Sequence, residues 1–295
     1  MNDSGTTTII STFLLNDPKV AALKQGRLGS RHLRFAFAEA KDGYRRLAGG
    51  GFDCGDLPIG AFLQALSHGM PLVLMPVVLT GRFHHDAIYY NPARGSLDPG
   101  RLEGKRIGVN AYTHTSGIWL RGLLESEYGL DHRRMRWVTL TDSYLDAYRD
   151  PDICEQAPPG SSLQDMLLDG SIDAAILGPS GANDVRFKLL FADAAEAARG
   201  WQRKFGAVPI NHMLVIHQRL LHEPTLISEI YRLFVESKAA APLPPGKPDL
   251  TPYGIEANQR ALELVIDYAV RQQVIPKPFA VDTLFDPVAA ILGGR

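Results

Sequence analysis

The fold of this chain is organised around the stretch Gly104–Leu130, which reads GKRIGVNAYTHTSGIWLRGLLESEYGL. Its residues 106–109 predict a buried strand, and its residues 112–116 predict a polar turn. The apolar rhythm over residues 117–128 predicts a helix, which Gly129 ends. A buried strand that runs through a polar turn into a helix favours an α/β protein.

The start of this predicted helix is suited to a bound anion. The first-turn N–H groups of a helix have no partner within the helix, and the helix dipole adds roughly half a positive charge at that end. Thr115 and Ser116 are therefore candidate binders of a carboxylate or a phosphate. The alternative is that Thr113, Thr115 or Ser116 only caps the helix. The local sequence leaves both interpretations open.

The composition indicates a globular protein with a substantial core. The chain has 295 residues, of which 45% are hydrophobic and 21% are charged, and this length favours two lobes over one. Lysine and arginine number 31 against 32 aspartates and glutamates, which gives a formal net charge of −1. We therefore expect neither nucleic acid nor an anionic membrane as a partner, and we expect a small molecule instead.

Neither the cysteines nor the N-terminal stretch point to secretion or to a metal. Cys54 and Cys154 lie far apart without a CxxC or Cys/His spacing, so neither a disulfide framework nor a zinc site is indicated. Residues 1–20 lack the basic and apolar regions of a signal peptide, and no window approaches 18 consecutive apolar residues. We therefore expect a cytoplasmic protein.

Strands and helices are predicted to alternate along the chain. Strands are predicted over Thr6–Leu15, Leu33–Ala38, Phe52–Ile59 (a short edge strand), Leu72–Leu79, Met135–Leu140, Ala174–Leu177 and Ile210–His217. Helices are predicted over Lys19–Gln25, Gly60–His68, Ser162–Leu168, Ala192–Lys204, Pro224–Ala239 and Ile255–Val274, the last helix. The chain is expected to leave the first lobe near residue 91 and to return near residue 207. This predicts a discontinuous lobe 1 of residues 1–91 and 207–295, and a lobe 2 of residues 92–206.

Four blocks of the chain follow the pattern of one known family. They are GKRIGV with Tyr112, Thr115, Trp119, Arg121, Gly122 and EYGL; FHHDAIYYN (Phe83–Asn91); VPINHMLVI (Val208–Ile216); and TPYGIEANQRALELVIDYAVRQQVIP (Thr251–Pro276). These blocks resemble, in matching order, those of the 4,5-dihydroxyphthalate decarboxylase family, which read GKRVGVPEYQMTAAVWVRGILQDEYGV, FRHSSIYVN, FPIMH.VVI and PYGIEANR…LE…YA.EQGL. The resemblance implies an α/β, two-lobed type 2 periplasmic-binding-protein-like fold with two inter-lobe crossings and a central cleft.

The resemblance also implies a cofactor-free decarboxylase, a lyase of aromatic catabolism that acts on a hydroxylated aromatic or heteroaromatic carboxylate. Protonation of the ring carbon that bears the carboxylate, followed by loss of CO2, needs no organic cofactor. Such a site needs an anchor for the carboxylate, a proton donor whose pKa lies near neutrality and a group that polarises the phenol. The alternative is a non-catalytic solute-binding protein of the same fold that binds a small organic anion.

Histidine suits the role of proton donor, because its ordinary pKa of about 6.5 lets its surroundings set its charge. His85 stands at the position of the FRHS histidine and His212 at that of the FPIMH histidine, so the resemblance makes both catalytic candidates. A satisfied structural histidine is the alternative for each. The substrate-binding candidates are Asp56, Arg82, His84, Tyr112, His114, Thr115, Ser116, Trp119 and Asn211. Tyr112 and Trp119 could pack against an aromatic ring, while Trp119 could equally be plain core.

The chain departs from the family pattern at several of these positions. It reads NAYTHT where the family reads PEYQMT, His84 replaces an arginine, and Asp56 replaces a glutamate. The substrate therefore need not be 4,5-dihydroxyphthalate itself. His84, His85 and Asp86 are adjacent in sequence, and adjacent strand residues point to opposite faces, so they suit a shared metal ion poorly. We expect no metal and no cofactor, and leave a homo-oligomer open.

Overall fold

The computed structural model describes residues 7–39, 41–242, 246 and 248–294. Thr6, the first residue of the first predicted strand, lies outside these ranges, as does the start of the stretch considered as a signal peptide. The strands are β1 (Thr8–Phe13), β2 (Leu33–Phe37), β3 (Cys54–Pro58), β4 (Leu72–Gly81), β5 (Ile88–Tyr90), β6 (Arg106–Val109), β7 (Arg136–Thr139), β8 (Cys154–Gln156), β9 (Ala174–Ile176), β10 (Lys188–Leu189) and β11 (Ile210–His217). The helices are α1 (Pro18–Lys24), α2 (Gly43–Ala48), α3 (Ile59–Ser67), α4 (Thr115–Tyr128), α5 (Leu163–Asp169), α6 (Ala194–Phe205), α7 (Pro224–Ala239), α8 (Glu256–Arg271) and α9 (Val281–Leu292).

The described residues form two compact units. Unit 1 takes those of Met1–Gly81, Ile210–Glu263 and Phe279–Arg295, and unit 2 takes Arg82–Pro209 and Leu264–Pro278. The predicted lobes, 1–91 with 207–295 and 92–206, differ from these units in two respects. Strand β5 pairs with β9 in the sheet of unit 2, and the second part of α8 with the residues that follow it packs in unit 2. The predicted lobe boundaries themselves stay a prediction.

Unit 1 is built on a five-stranded sheet in the order β2-β1-β3-β11-β4. Strand β1 runs parallel to β2 and β3, while β11 runs antiparallel to both β3 and β4. The apolar run of β4 is almost entirely buried, as suits a strand that is covered on both faces. Its Pro76 cannot donate a hydrogen bond to a neighbouring strand, which agrees with the place of β4 at the edge of the sheet.

Unit 2 is built on a six-stranded sheet in the order β10-β5-β9-β6-β7-β8. Strand β6 runs parallel to its neighbours β7 and β9, and β5 runs antiparallel to β9. Helix α4 follows β6, and its Gly122 packs against Tyr268 of α8. A Cβ atom on Gly122 would lie 2.2 Å from Cδ2 of Tyr268, so the glycine is what allows the tyrosine ring to approach.

Most predicted elements exist in the structure, with three corrections. Helix α4 begins at Thr115, two residues before the predicted start, so Thr115 and Ser116 belong to its first turn. The prediction that Phe52–Ile59 forms an edge strand is wrong, because β3 lies between β1 and β11 and is buried throughout. The sequence predicts α8 as the last helix, which is wrong, because α9 follows it and continues through Pro287.

No helix in the described part of the chain combines the length and the apolar character that crossing a membrane requires.

Candidate active site

In unit 1, the sheet brings His212 and Asp56 into direct contact. Asp56 lies on β3 opposite Leu214 of β11, and His212 is two residues from Leu214, so both side chains are on the same face of the sheet. The Nδ1 atom of His212 lies 2.7 Å from Oδ1 of Asp56. An ionised carboxylate at this distance accepts the Nδ1 proton and leaves Nε2 as the nitrogen through which the ring can gain or lose a second proton.

The imidazole of His212 is packed on one side by an aromatic group. Tyr44 of α2 meets the ring edge-on, with the ring centroids 5.5 Å apart, and its hydroxyl lies 3.5 Å from Nδ1 of His212. Tyr44 is in turn held by Phe13 at the end of β1, with ring centroids 5.3 Å apart. The side chain of His212 is 13% exposed and that of Asp56 is 5% exposed, so the pair is largely withdrawn from water.

Asp56 also borders a cavity of about 190 Å³ within unit 1. The cavity is lined by Leu14, Leu15, Asn16, Asp17, Lys19, Val20, Asp56, Leu79 and Thr80. Lys19 is the cationic group of this lining, and its Nζ atom lies 2.7 Å from Oδ1 of Asp17. The end of β1, the start of α1 and the end of β4 thus place polar groups beside the carboxylate that holds His212.

Asn211, the other candidate on β11, precedes His212 and is half-buried. The pairing of β11 with β4 shifts register between Ile210 and His212, so the regular alternation of side chains is interrupted at Asn211.

In unit 2, three further candidates occupy the turn between β4 and β5. Arg82 is tied to this turn by an ion pair with Asp86, in which Nη2 lies 2.8 Å from Oδ1. His85 is 1% exposed and meets Phe191 edge-on at 5.2 Å between ring centroids. Its Nε2 atom lies 3.5 Å from Oε2 of Glu127, near the end of α4.

Burial sets the protonation state of His85. Removal from water lowers the pKa of its imidazole to about 4, while the charge of Asp86 acts in the opposite direction and is the smaller effect. Burial also raises the pKa of Glu127. His85 is therefore neutral near pH 7, and the 3.5 Å contact joins a neutral imidazole to the glutamate.

His84, on the same turn, is buried more completely than the sequence indicated. It is 1% exposed and stacks on Trp119 of α4, with ring centroids 6.4 Å apart and an angle of 12° between the planes. Burial holds its pKa well below the usual value, and the charges of Arg82, His114 and His85 lower it further. Trp119 is itself buried, with Trp201 and Tyr268 edge-on to its ring, so it belongs to the core of unit 2.

The predicted anion-binding residues stand at the start of α4. His114 is the residue before the first turn, and its carbonyl accepts hydrogen bonds from the N–H groups of Gly117 and Ile118. Its side chain does not cap the helix. Thr115 and Ser116 are both buried, at 1% and 7% exposure. The first turn of α4 therefore carries two hydroxyl-bearing residues that are buried within unit 2.

Behind this turn lies the buried guanidinium of Arg121, which is not among the substrate-binding candidates from the sequence. Arg121 is fully buried and donates from Nη2 to the carbonyl of Tyr112 at 2.6 Å and from Nε to Oε1 of Gln272 at 2.7 Å. Gln272 in turn donates to the carbonyl of Ile118 at 2.9 Å. The guanidinium also lies 4.0 Å from the centre of the Tyr112 ring and 4.8 Å from that of Trp137. Arg121 therefore fixes the turn that leads into α4.

Tyr112 is part of this cluster. Its ring is stacked on Arg121, and its hydroxyl donates to the carbonyl of Gln272 at 3.1 Å. Burial raises the pKa of the Tyr112 hydroxyl to about 12. These contacts give Tyr112 a packing role, while the site assignments themselves, including those of His85 and His212, stay predictions.

Sequence reasoning did not single out Tyr44, Glu127 or Gln272. Each contacts a candidate through a pairing that is distant in sequence. Glu127 lies in the EYGL block and Gln272 in the block Thr251–Pro276, but neither block by itself assigns a role to these two residues. Among the described residues there is no group of three or more histidine, cysteine, aspartate or glutamate side chains placed to hold a metal ion. Cys54 is buried and Cys154 is half-buried, and burial raises the pKa of both thiols.

Comparison with curated proteins finds relatives that are named for one activity. The chain is 30% identical over 210 residues to the 4,5-dihydroxyphthalate decarboxylase of Comamonas testosteroni, a match covering 64% of this chain and 62% of that protein. It is 30% identical over 166 residues to the 4,5-dihydroxyphthalate decarboxylase of Pseudomonas putida, covering 52% and 64%. The matched part thus spans about three fifths of the length of these relatives, and no family model matches the chain. The matches support a distant relationship.

Comparison with solved structures identifies the fold. The alkanesulfonate-binding protein SsuA of Xanthomonas axonopodis pv. citri bound to MOPS superposes with a TM-score of 0.57 at 14% identity, covering 95% of this chain and 98% of that one. The periplasmic aliphatic sulphonate binding protein SsuA of Escherichia coli gives 0.55 at 12% identity, covering 98% and 80%. A DszB variant in complex with biphenyl-2-sulfinic acid gives 0.52 at 13% identity, covering 97% and 99%. The predicted α/β periplasmic-binding-protein-like fold is confirmed.

Proposed function

We propose that this chain is a decarboxylase that acts on a hydroxylated aromatic or heteroaromatic carboxylate, with His212 as the proton donor. The observation that carries the proposal is the contact of 2.7 Å between Nδ1 of His212 and Oδ1 of Asp56. The distant relationship to proteins named 4,5-dihydroxyphthalate decarboxylase supports the reaction class. A cavity of about 190 Å³ in unit 1 borders Asp56.

In the proposed reaction, the imidazolium of His212 transfers a proton from Nε2 to the ring carbon that bears the carboxylate. The bond between that carbon and the carboxylate then breaks, its electron pair returns to the ring, and CO2 leaves. Asp56 keeps Nδ1 protonated and orients the ring, as the carboxylate does in a catalytic triad. The neutral imidazole regains its proton from solvent, so the cycle is balanced.

We prefer His212 to His85 because of their surroundings. His85 has its pKa lowered to about 4 by burial, so only a small fraction carries a proton near pH 7. A general acid works best when its pKa lies near the working pH. The Asp56 carboxylate instead lies 2.7 Å from Nδ1 of His212, which orients the ring and leaves Nε2 for proton transfer.

The experiment is CO2 release from 4,5-dihydroxyphthalate and from a panel of related hydroxylated aromatic acids. Replacing His212→Gln should lower the turnover number by roughly 10² to 10⁴, the usual contribution of a positioned acid, with a smaller change in KM. Asp56→Asn should lower it by about 10² or more, because the amide does not fix the same ring tautomer. His217→Gln, at the far end of the same strand, is the matched control and should turn over at the wild-type rate.

The second candidate function is capture of a small organic anion without chemistry. It is favoured by the fold, since the SsuA proteins among the structural neighbours are named as binding proteins. Wild-type protein that binds the aromatic acids but releases no CO2 from any of them would replace the decarboxylase proposal with this one. Equal rates of CO2 release for the wild type and both site variants would still support a lyase, but they would show that His212 is not the proton donor.

A further inference from the structure

The imidazole of His212 needs a second contact besides Asp56 to have a fixed orientation. The short contact between Nδ1 of His212 and Oδ1 of Asp56 holds one atom of the ring. A single hydrogen bond leaves the plane of the ring free to turn about the line that joins the two atoms. The position of Nε2, the nitrogen that the proposed reaction uses, is therefore not set by Asp56 alone.

Tyr44 of α2 supplies a contact of a different kind. Its ring meets the imidazole of His212 at an angle of 81° between the planes, with the ring centroids 5.5 Å apart. Edge-to-face ring pairs have their centroids about 4.5 to 7 Å apart, so the two rings are in direct contact. The hydroxyl oxygen of Tyr44 lies 3.5 Å from Nδ1, which is longer than the usual distance of about 2.7 to 3.2 Å for a hydrogen bond between nitrogen and oxygen. The ring of Tyr44, more than its hydroxyl, therefore restricts the imidazole.

The ring of Tyr44 is itself held by other aromatic residues of unit 1. Phe13, at the end of β1, meets Tyr44 edge-on with ring centroids 5.3 Å apart, and it stacks on Phe52 with centroids 5.9 Å apart. Both phenylalanines are buried. Gly43 lets the start of α2 approach them closely, because a Cβ atom at this position would lie 2.1 Å from Cε2 of Phe13. Tyr44 therefore contacts His212 from a position that the core of unit 1 fixes.

The orientation of the imidazole matters for the rate of the proposed reaction. A proton donor must come within about 2.6 to 3.2 Å of the atom that takes the proton. A misplacement of about 1 Å can lower a rate roughly 10²-fold. The hydrogen bond to Asp56 fixes the position of Nδ1, and the ring of Tyr44 fixes the plane of the imidazole. The two contacts together give the preorganisation that a proton donor requires.

We propose that Tyr44 is a positioning residue of the proposed active site, whose ring holds the imidazole of His212 in the plane from which Nε2 transfers its proton. The inference rests on the proposed function for the role of His212. Tyr44 takes no part in the proton transfer itself and acts only through the orientation of His212. Its hydroxyl is not required for this role.

The kinetic test compares Tyr44→Leu, which removes the ring, with Tyr44→Phe, which removes only the hydroxyl. With 4,5-dihydroxyphthalate as the probe, Tyr44→Leu should lower the turnover number at least about tenfold and change KM less than about threefold, because the orientation of the donor affects the transition state more than the bound substrate. Tyr44→Phe should restore turnover to within about threefold of the wild type. Phe35→Leu is the matched control. Phe35 belongs to another edge-on pair of unit 1, with Phe234 at 6.1 Å between ring centroids, and this variant should turn over at the wild-type rate.

A second readout follows the imidazole and does not depend on catalysis. The Nδ1 proton of His212 should give a low-field proton NMR signal, because a carboxylate accepts its hydrogen bond, and the absence of this signal in His212→Gln assigns it. A ring that can turn breaks this hydrogen bond more often. Exchange of the proton with water should therefore be at least about tenfold faster in Tyr44→Leu and unchanged in Tyr44→Phe. If Tyr44→Leu does not fold, Tyr44→Met fills the space without a ring and should give the same two results.

Wild-type turnover and wild-type proton exchange in the variants that lack the ring would overturn the inference and leave the proposed function in place. Equal losses in Tyr44→Phe would also overturn it, because the hydroxyl would then carry the effect. A loss of turnover without faster exchange of the His212 proton would overturn it as well, since the effect would not act through the imidazole. Faster exchange in Tyr44→Leu, in a protein whose wild type releases no CO2, would support the positioning of His212 and remove only the decarboxylase activity.

Discussion

The buried state of His85 predicts a specific loss of stability in mild acid. A histidine that must stay neutral in the folded protein but is free to take up a proton when unfolded favours unfolding as the pH falls. The unfolded state binds more protons between the two pKa values, so the free energy of unfolding decreases from about pH 6.5 downward and levels off near pH 4.

The magnitude follows from those two values. With a pKa of about 4 in the folded state and the ordinary 6.5 in the unfolded state, the His85 contribution lowers the free energy of unfolding by about 2 kcal/mol between pH 7 and pH 5. The assay is urea unfolding at both pH values for the wild type and for His85→Phe. The variant should lose about 2 kcal/mol less than the wild type over this interval.

The control is His222→Phe, because His222 is exposed in the folded protein and its surroundings change little on unfolding. This variant should keep the wild-type pH dependence. An unchanged pH dependence in His85→Phe would refute the reasoning, because the pKa of His85 would then be the same in the folded and unfolded states. The choice of His212 over His85 as the proton donor would then lose its main support.

Two further predictions concern α4. Replacing Thr115 and Ser116 together by alanine should weaken benzoate binding by about 1 to 3 kcal/mol in calorimetry if the first turn holds the carboxylate, and unchanged affinity would remove that site. Gly122→Ala should lower the free energy of unfolding by about 1 to 3 kcal/mol through collision with Tyr268. Its matched control, Gly200→Ala in α6, should raise that free energy by roughly 0.5 to 1 kcal/mol, because the new Cβ would have no atom nearer than 3.9 Å. Equal effects of the two glycine variants would contradict the packing described for Gly122.

The local sequence was sufficient to predict β6 and α4, the strand and the helix around which unit 2 is built. The strand Arg106–Val109 and the helix that ends at Tyr128 were predicted at or within two residues of their observed limits. The reason is physical, since apolar periodicity and a terminal glycine act over a few residues. The same holds for β11, whose observed range is the predicted one.

The sequence also identified Asp56 and His212 as separate candidates, but it did not predict that their side chains are in contact. Their contact spans 156 positions along the chain and exists because β3 and β11 pair in one sheet. The central position of β3 in the sheet was not predicted for the same reason, because strand order depends on long-range pairing and not on the local sequence pattern.

Tertiary structure alone decided the state of the remaining candidates. His84 and His85 lie between Arg82 and Asp86 in the sequence, yet packing against Trp119 and Phe191 buries both and keeps them neutral. Arg121 is not among the candidates from the sequence, and Gln272, 151 positions away, accepts a hydrogen bond from its Nε. Sequence determined which groups are available for chemistry, whereas burial and long-range contacts set their protonation and orientation, because both depend on neighbours that only the folded chain brings together.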